Sequence, residues 1–189
     1  GTVDNQILGN QADIQNRGAE LSVGWTASTE GGLTYRISGN IGLNNNKVLD
    51  VVSGNTPIYS GSLGITNGAL ATRTITGEPI GQFYGYKTVG IFQNAAEISS
   101  SPIQSDAAPG GFKFQDTNGD GTINSLDKVV LGNPNPKYTY GVNTSFEYKN
   151  FDLALDFQGV AGVDVYNANL AFRFGNENYT KDFFDHRWH

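Results

Sequence analysis

Asp116-Thr117-Asn118-Gly119-Asp120-Gly121-Thr122-Ile123-Asn124-Ser125-Leu126-Asp127 carries oxygen side chains at loop positions one, three, five, nine and twelve. That spacing lets a short loop wrap a hard cation, and Gly121 stands at position six, where such a loop turns sharply. Asp116, Asn118 and Asp120 would supply side-chain oxygens and Thr122 its backbone carbonyl. Asn124 would add a direct or water-mediated contact, and Asp127 the closing carboxylate. Flexible oxygen ligands in that number favour structural calcium, with magnesium as the alternative. Ile123, at position eight, would anchor the loop in a small core. Position twelve is Asp rather than Glu and no amphipathic helices flank the loop, which points to a structural ion rather than a sensor. The competing reading is an Asn/Gly turn cluster that holds no metal.

No other constellation rises to a catalytic site. Asp152 and Asp156 share a strand face with Gln158, as any solvated polar row does. His186 and His189 are the only histidines and match no HExxH pattern, and neither a GxSxG elbow nor a GxGxxG phosphate loop occurs. Without cysteine, disulfides, thiolate metal sites and thiol nucleophiles are excluded. A formal net charge of -6 argues against nucleic acid as a partner, because phosphate neutralisation needs Lys and Arg patches. No apolar run approaches the roughly 18 residues of a membrane-spanning helix. The chain starts with Gly and has no Met, so a mature or excised piece is expected.

The elements that must position the loop are strands. Gly is 25 of 189 residues and charged residues are 16%, a composition in which Asn, Thr, Ser and Gln replace charge at the surface. Period-two alternation is strict in four stretches. Ala19, Leu21, Val23, Trp25 and Ala27 alternate with small or polar residues over Gly18 to Ser28, and Leu33, Tyr35, Ile37, Ile41 and Leu43 do so over Leu33 to Leu43. The turn Thr29-Glu30-Gly31-Gly32 joins these two into a hairpin. Tyr138 to Tyr148 and Phe151 to about Val160 form the second hairpin, across Lys149-Asn150. Between the hairpins, Asn44 to Pro136 is too long for a structureless loop and reads as a folded insert. Within it, Gly77 to Phe92 predicts a short strand pair, and Ala95 to Ser100 one helical turn. Its aromatics Phe83, Tyr84, Tyr86 and Phe92 are expected to pack within the insert rather than stack on a sugar.

Alternation fits two architectures. In a soluble antiparallel sandwich the apolar faces form the core. In a transmembrane barrel they meet lipid, the polar faces line the interior, and aromatics gather near the strand ends, as Trp25, Tyr35, Tyr138, Tyr140, Tyr148 and Phe151 do.

Several motifs in one order then bear on the choice. Asn16-Arg17-Gly18-Ala19-Glu20 opens a strand, Gly77-Glu78-Pro79-Ile80-Gly81 runs into Phe83-Tyr84-Gly85-Tyr86, and Gly90-Ile91-Phe92 follows. Lys113-Phe114 and the Asp116 loop come next, then Gly132-Asn133-Pro134, Pro136-Lys137-Tyr138-Thr139-Tyr140-Gly141 and Lys149-Asn150-Phe151-Asp152-Leu153 leading to Phe157-Gln158-Gly159-Val160. Over nearly its whole length the chain resembles the C-terminal part of SusC/RagA-type TonB-dependent outer-membrane transporters of Bacteroidetes. The resemblance implies an all-β fold: antiparallel strands of a fragment of a transmembrane β-barrel of about 22 strands, with a long extracellular loop insert. It implies barrel strands over 1–43, the extracellular insert with its cation loop over 44–136, and over 137–189 further barrel strands and the start of the next outer loop.

The function implied is a share in importing glycans, peptides or other nutrients across the outer membrane. The partners implied are a SusD-like surface lipoprotein, outer-membrane lipid, and the TonB complex through an N-terminal part outside this chain. Arg36, Asn40, Asp152, Asp156 and Gln158 would line the lumen. The alternative from another class is a secreted, calcium-binding β-sandwich module for carbohydrate binding or adhesion. An enzyme stands third.

Overall fold

The computed structural model describes residues 12–51, 56–61, 70–167, 180–186 and 188. The expected start of a further outer loop, beyond residue 167, lies largely outside the described residues. The described chain divides into two compact units.

The first unit, which takes in residues up to Ile58, Thr74–Gly81 and Asn133–Val165, is built on one antiparallel sheet. Its strands are β1 (Ala12–Ser28), β2 (Leu33–Val51), β9 (Tyr138–Tyr148) and β10 (Phe151–Ala161), in the order β1-β2-β9-β10. Both expected hairpins are present. Gly32 takes φ +84 in the first turn, where Thr29 N–H donates to Leu33 O at 2.8 Å. Lys149, at φ +52, closes the two-residue second turn between the paired Tyr148 and Phe151.

β1 and β2 run past the alternating stretches, pairing Ala12 with Val51 at their far ends. The β2 extension is held by the Gly77-Glu78-Pro79-Ile80-Gly81 motif: Val48 N–H donates to Glu78 O and Gly77 N–H to Val48 O, both at 2.9 Å. Asn46, itself buried, donates from Nδ2 to Asn16 Oδ1 and accepts Ile80 N–H at Oδ1, each at 2.8 Å. Asn135 Nδ2 donates to Ile80 O at 2.7 Å. Val48 and Val51 are buried beside this polar clasp.

The second unit contains a sheet in the order β3 (Ile58–Ser60), β4 (Thr72–Thr74), β5 (Gln82–Tyr86), β8 (Lys128–Gly132) and a separate pair, β6 (Thr88–Ile91) with β7 (Phe112–Phe114). The expected strand pair within Gly77 to Phe92 is therefore corrected. β5 pairs with β4 and β8, while β6 pairs with β7. Only Lys87 separates β5 from β6, and one residue is too short a connection for a hairpin. The helical turn stands as α1 (Ala95–Ser99): Asn94 accepts Glu97 N–H as N-cap, and Glu97 accepts Gln93 N–H in return. Near the C-terminus, α2 spans Lys181–His186. No described helix is long and apolar enough to cross a membrane, which says nothing of strands.

Candidate functional site

Two features carry chemistry, the faces of the four-stranded sheet and the acidic loop. Strand register aligns the alternating residues into rows. Ala27, Tyr35, Phe146 and Leu153 form one row, followed by Trp25, Ile37, Thr144 and Leu155, and then by Val23, Gly39, Val142 and Phe157. Leu21, Ile41, Tyr140 and Gly159 come next, with Leu43 and Tyr138 beyond them. All rows lie on one face, and that face is exposed: Trp25 is 67% accessible and Phe157 62%. A sandwich needs this face covered, yet the first unit's buried apolar residues, Val48 and Val51, lie in the β2 extension. Tyr140 shields Gly159, whose added Cβ would meet the tyrosine hydroxyl at 2.5 Å.

The opposite face is polar. Arg36, Asn40, Asp152, Asp156 and Gln158 all lie on it, as the alternation predicts. Arg36 Nη1 donates to Glu147 Oε1 at 2.9 Å between neighbouring strands, an exposed pair. Asn40, Asn143, Asp156 and Gln158 line a shallow open depression on the sheet. Asp152 and Asp156 join this row without forming a catalytic pair.

The acidic loop lies in the second unit, after β7. Glycines at φ +76 (Gly119) and +80 (Gly121) let the chain turn twice in the left-handed region. Asp116 accepts Gly119 N–H at Oδ1 and Gly121 N–H at Oδ2, at 2.7 and 2.8 Å. Asn118 Oδ1 accepts Asp120 N–H and its Nδ2 donates to Asp120 Oδ2, both at 2.9 Å, while Asp120 Oδ1 accepts Thr122 N–H at 2.8 Å. Asn124 Nδ2 donates to the Thr122 carbonyl at 3.2 Å.

Asp127 differs from the others in being fully buried. Its Oδ2 accepts Asn124 N–H and its Oδ1 accepts Thr117 N–H, both at 2.8 Å. These N–H donors, Asn124 first and then Thr117, hold its carboxyl below the ordinary carboxylate range against the opposing effect of burial. Ile103 and Ile123 tie the loop's back together, with Ile123 N–H donating to Ile103 O at 2.8 Å. Hydrogen bonds thus bring Asp116, Asn118, Asp120, Thr122 and Asn124 into one loop, while Asp127 anchors it from beneath. Among the described residues no three acidic, histidine or cysteine side chains converge as a metal cluster. The donors are of the kind and spacing a hard cation takes, and the engaged carboxylate oxygens of Asp116 and Asp120 each retain a second lone pair, whereas Asp127 Oδ1 accepts both Thr117 N–H and Thr117 Oγ1.

The four aromatics singled out in the insert do pack. Phe92 is buried, Tyr84 lies 5.9 Å from Tyr59 between ring centroids, Tyr86 stacks on Phe114 at 5.1 Å, and Phe83 meets Tyr166 at 6.1 Å. Sequence reasoning passed over Phe112, which is 62% exposed. Its place two residues before Phe114, across Lys113 in a short strand, was the available signal.

Comparison with known proteins gives a consistent result. No protein-family model matches the chain. TonB-dependent receptor P26 of Formosa agariphila is 33% identical over 178 residues, covering 94% of this chain and 18% of that receptor. TonB-dependent receptor SusC of Bacteroides thetaiotaomicron is 24% identical over 183 residues, covering 93% of this chain and 17% of the receptor. Among solved structures, the RagAB peptide transporter superposes with a TM-score of 0.60 at 16% identity, over 81% of this chain and 15% of that one, a likeness of fold. The chain thus spans less than a fifth of the length of the relatives it matches. Over most of its length it is homologous to the SusC/RagA-type TonB-dependent receptors, a family of outer-membrane transporters and not of enzymes.

Proposed function

We propose that the chain forms four wall strands and part of an outer loop of a TonB-dependent importer in the outer membrane. The exposed apolar face of the sheet, with its polar reverse, carries this reading. Leu33 to Leu43 is ten residue steps, about 34 Å of strand at ~3.4 Å per residue. A tilt of about 40° reduces this to a rise of about 26 Å, against the ~25 Å apolar band of outer-membrane barrels. Aromatics mark both limits, Tyr148 and Phe151 at one end and Tyr138 at the other. In this arrangement the apolar face meets lipid and the polar face lines the lumen. The short turns at Gly32 and Lys149 face the periplasm, and the segment 44–136 faces outward. The cargo is a glycan, a peptide or another nutrient, captured with a SusD-like lipoprotein, and TonB drives import through a part of the receptor outside this chain. The RagAB likeness supports both the fold and the partnered assembly.

This chain contains no cysteine, so with any cysteine elsewhere in the receptor replaced, a single one placed in these strands reports on the wall. In the full-length receptor in cells, Asn143→Cys should react with a small water-soluble maleimide, and Val142→Cys should react only with a lipid-soluble one. Equal reaction of both positions with the water-soluble reagent would refute the lipid-facing assignment.

For the acidic loop, the spacing of Asp116, Asn118, Asp120, Thr122, Asn124 and Asp127 supports a structural calcium ion, with magnesium the alternative. Calcium at a hundred times its dissociation constant should slow hydrogen exchange at Gly119 and Gly121 about a hundredfold. The same protection in the double variant Asp116→Ala, Asp120→Ala, or none in the unaltered receptor, would exclude the ion.

A further inference from the structure

At one end of the apolar face the strand register sets a block of donors that the wall itself does not use. Beyond the last apolar row, which holds Ala19, Leu43 and Tyr138, the same face carries Arg17 paired with Asn45, and then Gln15 paired with Lys47. Two cations and two amides thus adjoin, and no acidic residue shares their rows. Among the described residues, no hydrogen bond or ion pair engages the side chains of these four.

A cleft of about 310 Å³ lies where the two blocks meet. Arg17 and Asn45 line it from one block and Leu43 and Tyr138 from the other, with Asn44 and Lys137 between them, joined by Asn44 N–H donating to Lys137 O at 2.9 Å. The lining is therefore cationic and polar on one side and apolar on the other. The opposite limit of the face is built differently. There the row Leu33, Tyr148 and Phe151 leads straight into the turns, and Lys149 stands over the Tyr148 ring, 5.1 Å from its centre.

Depth selects the occupant. One row is about 6.8 Å along a strand and about 5 Å of height at a tilt of about 40°, so Arg17 stands about 5 Å above the apolar band and Lys47 about 10 Å. The polar layer of a leaflet is about 5–7 Å deep, and the flexible stem of a lysine bends back into such a layer. Arg17 is thus at the level of lipid phosphates, which its planar fork of donors suits, and Leu43 and Tyr138 below it are at the level of the upper acyl chain. A free anion would take Arg17 and leave the apolar side unused. An acidic protein would have to enter the bilayer to reach it.

We propose that this cleft binds a phosphate-bearing lipid of the outer leaflet, with Arg17 and Lys47 holding the phosphate and Leu43 and Tyr138 the first part of an acyl chain. The site rests on the importer reading, which sets the apolar face in lipid and the segment 44–136 outward. Native mass spectrometry of the full-length receptor in a neutral detergent, with monophosphoryl lipid A as the probe, provides the test. The receptor should retain this lipid and release its dephosphorylated form. Arg17→Ala and Lys47→Ala should each weaken retention about fivefold, and together about twentyfold, as expected for cations beside an anionic headgroup. Arg17→Lys should keep most of the binding, which separates lost charge from lost fold, and Lys149→Ala, at the opposite limit, should leave it unchanged. Equal retention of the dephosphorylated lipid, undiminished binding by the alanine variants, or displacement of the lipid by inorganic phosphate overturns the site. Cysteine labelling keeps the two readings apart. Reaction of Val142→Cys with the water-soluble maleimide defeats the importer reading, whereas a lipid-facing Val142→Cys in a receptor whose lipid binding ignores Arg17 and Lys47 defeats only the site.

Discussion

Val142→Arg in the full-length receptor should lower folding stability in a bilayer by about 2–4 kcal/mol, the cost of a guanidinium near the membrane midplane. Val142 sits in the third of the rows set out above, flanked by Gly39 and Phe157 on the neighbouring strands. About 14 Å of alternating apolar surface extends to either side, at two residues and roughly 6.8 Å per row, so the new side chain cannot reach either interface without distortion. The adjacent Asn143→Arg puts the same charge on the polar face and should change stability by less than about 1 kcal/mol. Urea titration of both variants refolded in lipid vesicles gives the comparison. A difference below 1 kcal/mol would mean that the exposed apolar face does not meet lipid.

Gly18→Ala should be the most damaging of the conservative changes in the sheet. A Cβ built on Gly18 collides with the carbonyl oxygen of Leu43, a backbone atom of the paired strand that cannot swing aside as a side chain can. Relief requires β1 to part from β2 at this point. The expected loss is about 2–4 kcal/mol, combining overpacking with one or two broken ladder hydrogen bonds. Gly24 on the same strand and the same face is the control. Its nearest neighbour would be Ser38 Cβ at 3.8 Å, so Gly24→Ala should be neutral or slightly stabilising. The same urea measurement decides, and equal stability of the two variants would show that the Gly18 approach is not obligatory.

Particular elements show where sequence reasoning reached and where it stopped. Tyr138 to Tyr148 was readable to the residue, because its apolar alternation, interrupted only at Thr144, is a local property of the pleat. The β2 extension was not, since Asn44-Asn45-Asn46 has no apolar period. It is a strand because β1 pairs with it and Glu78 and Gly77 dock on Val48, and both partners lie elsewhere in the chain. The pairing of β5 failed for the same reason. Its neighbours β4 and β8 are brought to it by folding, and local pattern favoured the adjacent β6.

The acidic loop divides similarly. Spacing identified its oxygens, and the two glycines adopt the positive φ that their positions require. Spacing did not disclose that Asp127 is buried and holds the N–H groups of Thr117 and Asn124. Nor did it single out Phe112, an exposed ring 6.5 Å from Phe114, which in turn stacks on Tyr86.

By itself the sequence determined the strand period, the turns and the two-sidedness of the sheet, because steric pleating and residue type act within a few neighbouring residues. Only the tertiary structure decided which strands meet and that, among the described residues, the first unit leaves the apolar face exposed. Pairing and burial are contacts between residues far apart in the chain, and a period of two is the same whether its apolar side faces a protein core or lipid.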